Sequence, residues 1–487
     1  MPAADPGTAW SPAAREILLR LAADKMGADG ASFSAISAFL DMLDRTLTGE
    51  SGLLRESEIE PVAGLPELEE KPAPPPAEPG LLDQLAVIKL NGGLGTSMGL
   101  NRAKSLLAIK GPDTFLDFIA RQILHLRSTA RAGGLRFYLM NSFNTRQDTL
   151  KYLAKYPQLA RAEPLDFVQG RVPRLDAGAF APVAWPRQPD LEWCPAGHGD
   201  LYPCVVASGL LERLLTQGIR FLFVSNADNL GATVDARLLT YFAQSDLGFL
   251  MEVARRTPSD NKGGHLARRV AYGRLVLRES AQCAATDAPQ FQDIARHRFF
   301  NTNNLWIRLD GLQTELNRHG GTLPLPLIQN RKRLDPRNLD SPEVLQLETA
   351  MGSAIACFAR AGAIVVPRSR FSPVKTTADL LALRSDAYEV TADARLVLTA
   401  ARAGQPPEIH LDERHYRRLP DFDACFPAGA PSLAGCDFLK VKGRVIFPAG
   451  VRCLGRVEFH NPAPEPRTLE PGEYRDVQAM GSDPNGA

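Results

Sequence analysis

Paired cysteines, a membrane span and an excess of one charge are all missing from this chain of 487 residues. Its seven cysteines, at 194, 204, 283, 357, 425, 436 and 453, form no C-x-x-C pair and no His/Cys spacing suited to zinc. An odd, scattered set of this kind predicts free thiols in a reducing compartment and excludes a disulfide scaffold. No apolar run approaches the ~18 residues that a membrane helix needs. The opening, Met1-Pro-Ala-Ala-Asp, has neither the basic region nor the apolar stretch of a secretory signal. Basic and acidic residues number 56 and 55, a balance that argues against nucleic acid as a partner. Together these absences predict a cytoplasmic protein with no membrane and no nucleic-acid partner. What is present is ordinary: 44% hydrophobic and 23% charged residues, the mix of a globular chain long enough for about three domains.

Residues 11–48 predict two amphipathic helices. Ser11 is placed to cap the first, and Pro12 suits its first turn. Ile17, Leu18, Leu21 and Met26 then recur at helical spacing, and Phe33, Ile36, Leu40, Leu43 and Leu47 mark a second apolar face. This helical segment is assigned to 1–55. From 56 to 80 the chain is acidic, with Pro72, Pro74, Pro75, Pro76 and Pro79 close together. Such a stretch reads as a linker, or a strap over the next domain. From Leu85, apolar β-type runs alternate with helical patterns: Leu85–Leu90, Leu116–Arg127, Arg136–Met140, Thr145–Tyr156, Val205–Thr216 and Arg220–Ser225. That alternation predicts an α/β core over 81–388 with a mixed, mainly parallel sheet, and ligands beyond the carboxyl ends of its strands. The tail, 389–487, has another pattern. Val441-Lys-Gly443-Arg-Val445-Ile-Phe447 is echoed twelve residues later by Cys453-Leu-Gly455-Arg-Val457-Glu-Phe459. Glycine followed by alternating apolar residues fits the coils of a small β-helix better than a plain meander.

Several loops after these strands have the composition of ligand sites. Leu90-Asn-Gly-Gly-Leu-Gly-Thr-Ser-Met-Gly99 follows one strand, with Lys104-Ser105 behind it. Its glycines let backbone N–H groups approach an anion, and the lysine adds a mobile positive charge. The dinucleotide fingerprint G-x-G-x-x-G fails, because Gly99 falls one residue late. Walker A fails too, because Ala103 stands where glycine is required. Cys194-Pro-Ala-Gly-His198-Gly-Asp200 sets a histidine between glycines, where it is free to donate to phosphate. Phe221-Leu-Phe-Val-Ser-Asn226-Ala-Asp228-Asn229 follows an apolar strand with a carboxylate suited to Mg²⁺ on a triphosphate. Phe300-Asn-Thr-Asn303-Asn304, with Lys262-Gly-Gly264 and Arg278-Glu279, offers amides suited to sugar hydroxyls. Val366-Pro-Arg-Ser-Arg-Phe-Ser-Pro-Val-Lys375 gathers cations fit for pyrophosphate. Each has a plainer alternative, as a tight turn, an asparagine-rich loop or a solvated charged face.

In order and wording these motifs resemble those of the eukaryotic-type UTP–glucose-1-phosphate uridylyltransferases, the UDP-glucose pyrophosphorylases. The resemblance runs from about Leu85 to Tyr388 through LNGGLGTSMG, LMNSFNT, GHGDLY, SNADNLGATVD, NKGG, FNTNNLWI, QLETAMG and VPRSRFSPVKTTADLL. It continues more loosely into the tail. It implies a Rossmann-like nucleotidyltransferase core, a C-terminal left-handed β-helix, and uridylyl transfer between UTP and glucose 1-phosphate with Mg²⁺ as cofactor. It further implies that Leu90, Asn91, Gly92 and Gly93 hold the nucleotide, with Lys104 on its phosphates. Gln169 would read uracil beside Gly197, and His198 would bind the sugar phosphate. Asn226 and Asp228 would lie near the nucleotide, Asn226 among the sugar-phosphate-binding residues and Asp228 also on Mg²⁺. Asn303, Gly264 and Glu279 would bind glucose, and Lys375, with Lys104, would be catalytic. Asn101-Arg-Ala before Lys104 and Ala227 before Asp228 depart from the family pattern.

Three rivals remain. Another or broader sugar 1-phosphate preference keeps the same chemistry, although relatives acting on N-acetylhexosamine 1-phosphate usually carry arginine where this chain has Ser97. A nicotinamide dehydrogenase is disfavoured by the failed fingerprint. A binding homologue without turnover is disfavoured by the presence of Lys104, Asp228 and Lys375. A homo-oligomer through the C-terminal domain is a further expectation.

Overall fold

The structure, a computed structural model, describes residues 10–69, 80–129, 134–160, 163–257, 260–261, 263–335, 338 and 340–479. The prolines at 72–79, Lys262 and the last residues of the tail lie outside them. Helices α1 (Pro12–Ala28) and α2 (Phe33–Leu47) form where the apolar spacing places them. Ser11 and Ser32 cap them, accepting from Ala14 N and Ala35 N. Their buried faces, with Leu18, Met26, Phe39 and Leu43, pack on Trp193, Leu327 and Leu347 beside the three-stranded sheet formed by 175–176, 327–333 and 343–349.

The main sheet has ten strands. They are β1 (Ile59–Pro61), β2 (Leu85–Asn91), β3 (Arg136–Asn141), β4 (Asp166–Val168) and β5 (Phe221–Asn226), then β6 (Phe249–Arg255), β7 (His265–Arg269), β8 (Leu275–Arg278), β9 (Phe299–Arg308) and β10 (Ala361–Val365). Strands β5, β2, β3 and β4 lie side by side in parallel. β9 inserts antiparallel between β5 and β6, and β10 continues parallel to β6. β7 joins β9, with β8 and β1 antiparallel to it. Only β1, β8 and β9 therefore oppose the common direction. Alternate residues feed two cores: Val87, Phe221 and Phe223 on one face, Ile88, Leu222 and Val224 on the other. Burial on both faces explains why these strands are largely apolar, with Lys89 of β2 buried among the apolar residues. The helix expected over Val205–Thr216 is two, Leu201–Ala207 and Leu210–Thr216, parted at Ser208-Gly209. Among the described residues no helix is long and apolar enough to cross a membrane.

The C-terminal region stacks β11 (Glu408–Leu411), β12 (Ser432–Lys442), β13 (Val451–His460) and β14 (Gly472–Arg475) as a parallel ladder. Leu439 pairs with Val457 and Val451 with Gly472, offsets of 18 and 21 residues. The twelve-residue echo is therefore not the stacking repeat. Gly443 and Gly455 both sit at positive φ (+74° and +63°), with the Gly450 turn (+83°) between them. Each abuts a different neighbour: a Cβ would strike Asn461 at the first and Asp476 at the second. Along the ladder runs an aromatic column, Phe422, Phe426, Phe447, Phe459 and Tyr474, with successive ring centroids 4.8, 4.8, 5.5 and 5.2 Å apart. At its base, Tyr416 OH donates to Val445 O at 2.8 Å, and Tyr416 O accepts from Thr377 Oγ1 at 2.7 Å.

Candidate active site

Because β2 and β5 are parallel neighbours with Leu90 beside Asn226, the loops that follow them leave the sheet together. Asn91 is buried and anchors the first loop: its Nδ2 donates to Asn141 Oδ1 at 2.7 Å and to Thr149 Oγ1 at 2.9 Å. Ser142 Oγ donates to Gly92 O at 2.9 Å, and Ala227 N ties the second loop to Leu90 O at 3.0 Å. The glycine loop is thus held from beneath, with the exposed Gly93 at its top.

Beside it is a small amide nook. Gln169 Nε2 donates to Gly197 O at 2.6 Å, and a Cβ at Gly92 would lie 2.6 Å from Gln169 Oε1. Gln169 therefore bridges Gly92 and Gly197, although 105 residues separate those two glycines. At the next position, the Met351 N–H donates to His198 Nδ1 at 3.0 Å. That bond fixes the ring proton on Nε2, which is left as a donor. Burial pushes the His198 pKa down to about 4, so the ring is neutral. Asp200 accepts from Gly170 N at 2.6 Å and from Cys204 Sγ at 2.9 Å, and burial raises its pKa to about 6.

The phosphate-type groups meet at the adjoining edge. Lys104 N donates to Gly93 O at 3.1 Å, which turns its side chain across to the second loop. There Lys104 Nζ pairs with Asp228 Oδ2 at 2.6 Å. Val374 N reaches Asp228 O at 3.4 Å, so the exposed Lys375 begins one residue from Asp228's backbone. Thr376 and Asp379 form a capping box that starts helix Thr377–Arg384, and Lys375 N also donates to Asp379 Oδ2 at 2.8 Å. This segment also lines a cleft of about 1440 Å³, and of the expected site residues only Lys375 lines it.

The third group is the amide cluster. Asn303 holds a left-handed φ of +58°, an uncommon conformation for a residue other than glycine and one that concentrates at functional sites. Asn301 Oδ1 accepts the Asn303 N–H and Asn301 Nδ2 donates to Asn303 Oδ1, both at 2.9 Å. Glu279 lies against Gly264, where a Cβ would sit 2.5 Å from its carboxylate. Burial raises the Glu279 pKa, opposed by a hydrogen bond from Asn301 and by the charge of Lys375. Lys375 is thus close enough to Glu279 for its charge to act there. Asn301 and Asn229, both within the quoted motifs, and Glu252, outside them, are structural members of this edge that sequence reasoning did not single out.

Among the described residues no group of three or more His, Cys, Asp and Glu side chains gathers as a metal cage. A single carboxylate at the phosphate edge, Asp228, nevertheless suits Mg²⁺, which binds one or two carboxylates and completes its shell with substrate phosphates and water.

The chain as a whole is similar to known proteins. A family model described as UTP–glucose-1-phosphate uridylyltransferase matches residues 36–453. The UTP–glucose-1-phosphate uridylyltransferase of Solanum tuberosum is 38% identical over 462 residues, covering 92% of this chain and 93% of its own. Among solved structures, a point mutant of UDP-glucose pyrophosphorylase from Leishmania major in complex with UDP-glucose matches with a TM-score of 0.90 at 45% identity, over 95% of this chain and 98% of that one. A UDP-glucose phosphorylase from Trypanosoma brucei matches with a TM-score of 0.87 at 46% identity, over 94% of this chain and 100% of that one.

Proposed function

The chain belongs to the UTP–glucose-1-phosphate uridylyltransferase family, and on that premise we propose that it joins UTP to α-D-glucose 1-phosphate. The products are UDP-glucose and diphosphate, and the reaction is reversible. An oxygen of the sugar phosphate attacks the α-phosphorus of UTP in line. The bond from that phosphorus to the bridging oxygen breaks, and diphosphate leaves with the electron pair. No covalent enzyme intermediate is needed, so the protein's work is positioning and charge neutralisation.

The residues divide this work by place. Gln169 and Gly197 meet the uracil, with the glycine loop from Leu90 through Asn91, Gly92 and Gly93 beneath the nucleotide. His198 donates from Nε2 to the sugar phosphate, and Asn226 approaches it from the end of β5. Gly264, Glu279 and Asn303 take the glucose hydroxyls. Lys104 exchanges its Asp228 partner for a phosphate oxygen, and Lys375 faces the charge that builds on the α-phosphoryl group in the transition state. Asp228 would hold Mg²⁺, which supplies further neutralisation of the triphosphate when bound. The observation that carries this reading is the 2.6 Å contact between Lys104 and Asp228, with the Lys375 segment on Asp228's own carbonyl. Three motifs distant in the chain thereby converge on one phosphate-sized edge.

The remaining parts of the proposal rest on the resemblance to the family. The parallel C-terminal ladder is read as a left-handed β-helix and as a surface for self-association, with domain limits near 55, 80 and 388 and a cytoplasmic location. Diphosphate release measured with purified protein, UTP and three sugar 1-phosphates tests the function. Glucose 1-phosphate should be turned over far faster than N-acetylglucosamine 1-phosphate, and galactose 1-phosphate weakly, since one inverted hydroxyl loses only a hydrogen bond or two. Equal turnover of the N-acetylated sugar would overturn the sugar assignment in favour of a broader one.

A further inference from the structure

Asp228 and Lys375 lie on separate segments, and one buried side chain joins those segments. Asn229, 2% exposed, accepts the Ser372 N–H on Oδ1 at 3.0 Å. Its Nδ2 donates to Arg370 O at 3.1 Å and to Asn304 Oδ1 at 3.3 Å. Beneath it the partners are themselves fixed. Asn304 Nδ2 donates to Glu252 Oε2 at 3.0 Å. Glu252, fully buried, accepts Arg370 Nε and Nη2 at 2.7 Å each and Trp306 Nε1 at 2.9 Å. Arg370 Nη2 also donates to Thr233 O at 2.9 Å. A buried polar network with its partners in place favours a single arrangement, and breaking one member is costly.

We propose that Asn229 is a positioning residue for uridylyl transfer. Through the Ser372 N–H and the Arg370 carbonyl it sets the place from which Lys375 reaches past Asp228 to the reacting phosphates, without touching substrate itself. The lysine needs such a support. Its side chain is exposed and flexible, so the precision of its charge depends on where its backbone starts, and displacement of a reacting group by about 1 Å can cost ~10²-fold in rate. The proposal rests on the reading that Lys375 acts on the phosphates.

The test is a double-mutant cycle on the full chain, with kcat from diphosphate release and UTP affinity from calorimetry. Lys375→Ala should lower kcat about 10²–10³-fold, the range for loss of one stabilising donor. Asn229→Ala should lower kcat about 10–100-fold while UTP affinity changes less than about threefold, the pattern of an interaction made only in the transition state. In the Lys375→Ala background the Asn229→Ala change should cost less than about twofold more, because the group it positions is gone. Losses that multiply, or a loss of UTP affinity that matches the loss of kcat, would overturn the proposal. A normal kcat in Asn229→Ala beside a full Lys375→Ala effect would overturn the proposal alone. A normal kcat in Lys375→Ala would remove the reading beneath it as well. Should Asn229→Ala not fold, Asn229→Asp makes the same test with the same outcomes. It keeps the volume and the acceptor for Ser372 but sets an oxygen against the Arg370 carbonyl.

Discussion

Replacing Gly92 with alanine should weaken UTP binding through a residue that the substitution does not alter. The new Cβ would lie 2.6 Å from Gln169 Oε1, whereas ordinary contact begins near 3.4 Å, and its next neighbour, Ser142 Cβ, is tolerable at 3.6 Å. The carboxamide is the far end of a flexible side chain, so it can swing aside without moving backbone. In doing so it abandons the 2.6 Å bond to Gly197 O, and Gln169 is only 8% exposed, so water is poorly placed to substitute. A hydrogen bond lost in such a setting costs about 1–2 kcal/mol, which corresponds to a factor of about 5–30 in an equilibrium constant. Calorimetric titration with UTP should show that loss, while kcat at saturating UTP stays within about threefold, because the phosphate edge is untouched. Gln169→Ala in the same background should add no further loss beyond that of Gln169→Ala alone. Unchanged UTP affinity in Gly92→Ala would refute the collision and, with it, the assignment of this nook to the base.

Gly264→Ala should raise the KM for glucose 1-phosphate by about 5–30-fold with UTP affinity retained, because the methyl group displaces the Glu279 carboxylate; an unchanged KM would remove that pocket from the sugar. Asp228→Asn should raise the Mg²⁺ concentration needed for half-maximal activity, and an unshifted Mg²⁺ titration would deny it a ligand's role. Burial holds the pKa of His198 near 4 and also depresses those of His265 and His297, whereas unfolded histidines titrate near 6.5. Between about 6.5 and 4 the unfolded chain therefore binds protons that the folded chain refuses, and stability that is complete above pH 6.5 is lost as the pH falls. Asp200, raised to about 6, offsets part of this loss below that pH. The melting temperature should fall from pH 7 to pH 5, and a flat profile would show that these rings are not buried as neutral groups.

The parts of the fold legible in the sequence were those whose physics is local. Leu85–Ile88 and Phe221–Val224 are apolar on both faces because both faces are buried, and Ser11 with Pro12 marks a helix start by its own chemistry. The glycine loop and Asp228 were legible because each follows such a strand. What stayed hidden was the division of labour among like residues. Asn226 and Asn303 differ from Asn229 and Asn301 only in what surrounds them, and an amide that builds the scaffold has the same letter as one that faces a ligand. Glu252 did leave a signal, a lone carboxylate inside the apolar run Phe249–Ala254, which demands a buried cation; nothing local identified Arg370 as that cation. The tail misled in a different way. Gly443 and Gly455 both take positive φ, but the Gly450 turn lies between them and they abut unlike neighbours, so their spacing is not the rise of one layer over the next.

The aromatic column of the C-terminal region has two unlike ends. At one, Tyr416 is clamped between Val445 and Thr377, and Thr377 opens the helix that directly follows Lys375. At the other, half-buried Tyr474 covers Phe459 with no further ring beyond it among the described residues. In a stack where each rung is covered only by its neighbours, opening starts at the uncovered rung and runs inward one layer at a time. The tail should thus behave as a zip fastened on the side of Lys375. Its outer teeth can part and close without the site sensing it, whereas a break at Tyr416 is felt within two residues of the lysine. Backbone amide exchange should record this as a gradient, fastest at 472–475 and slowest at 439–447.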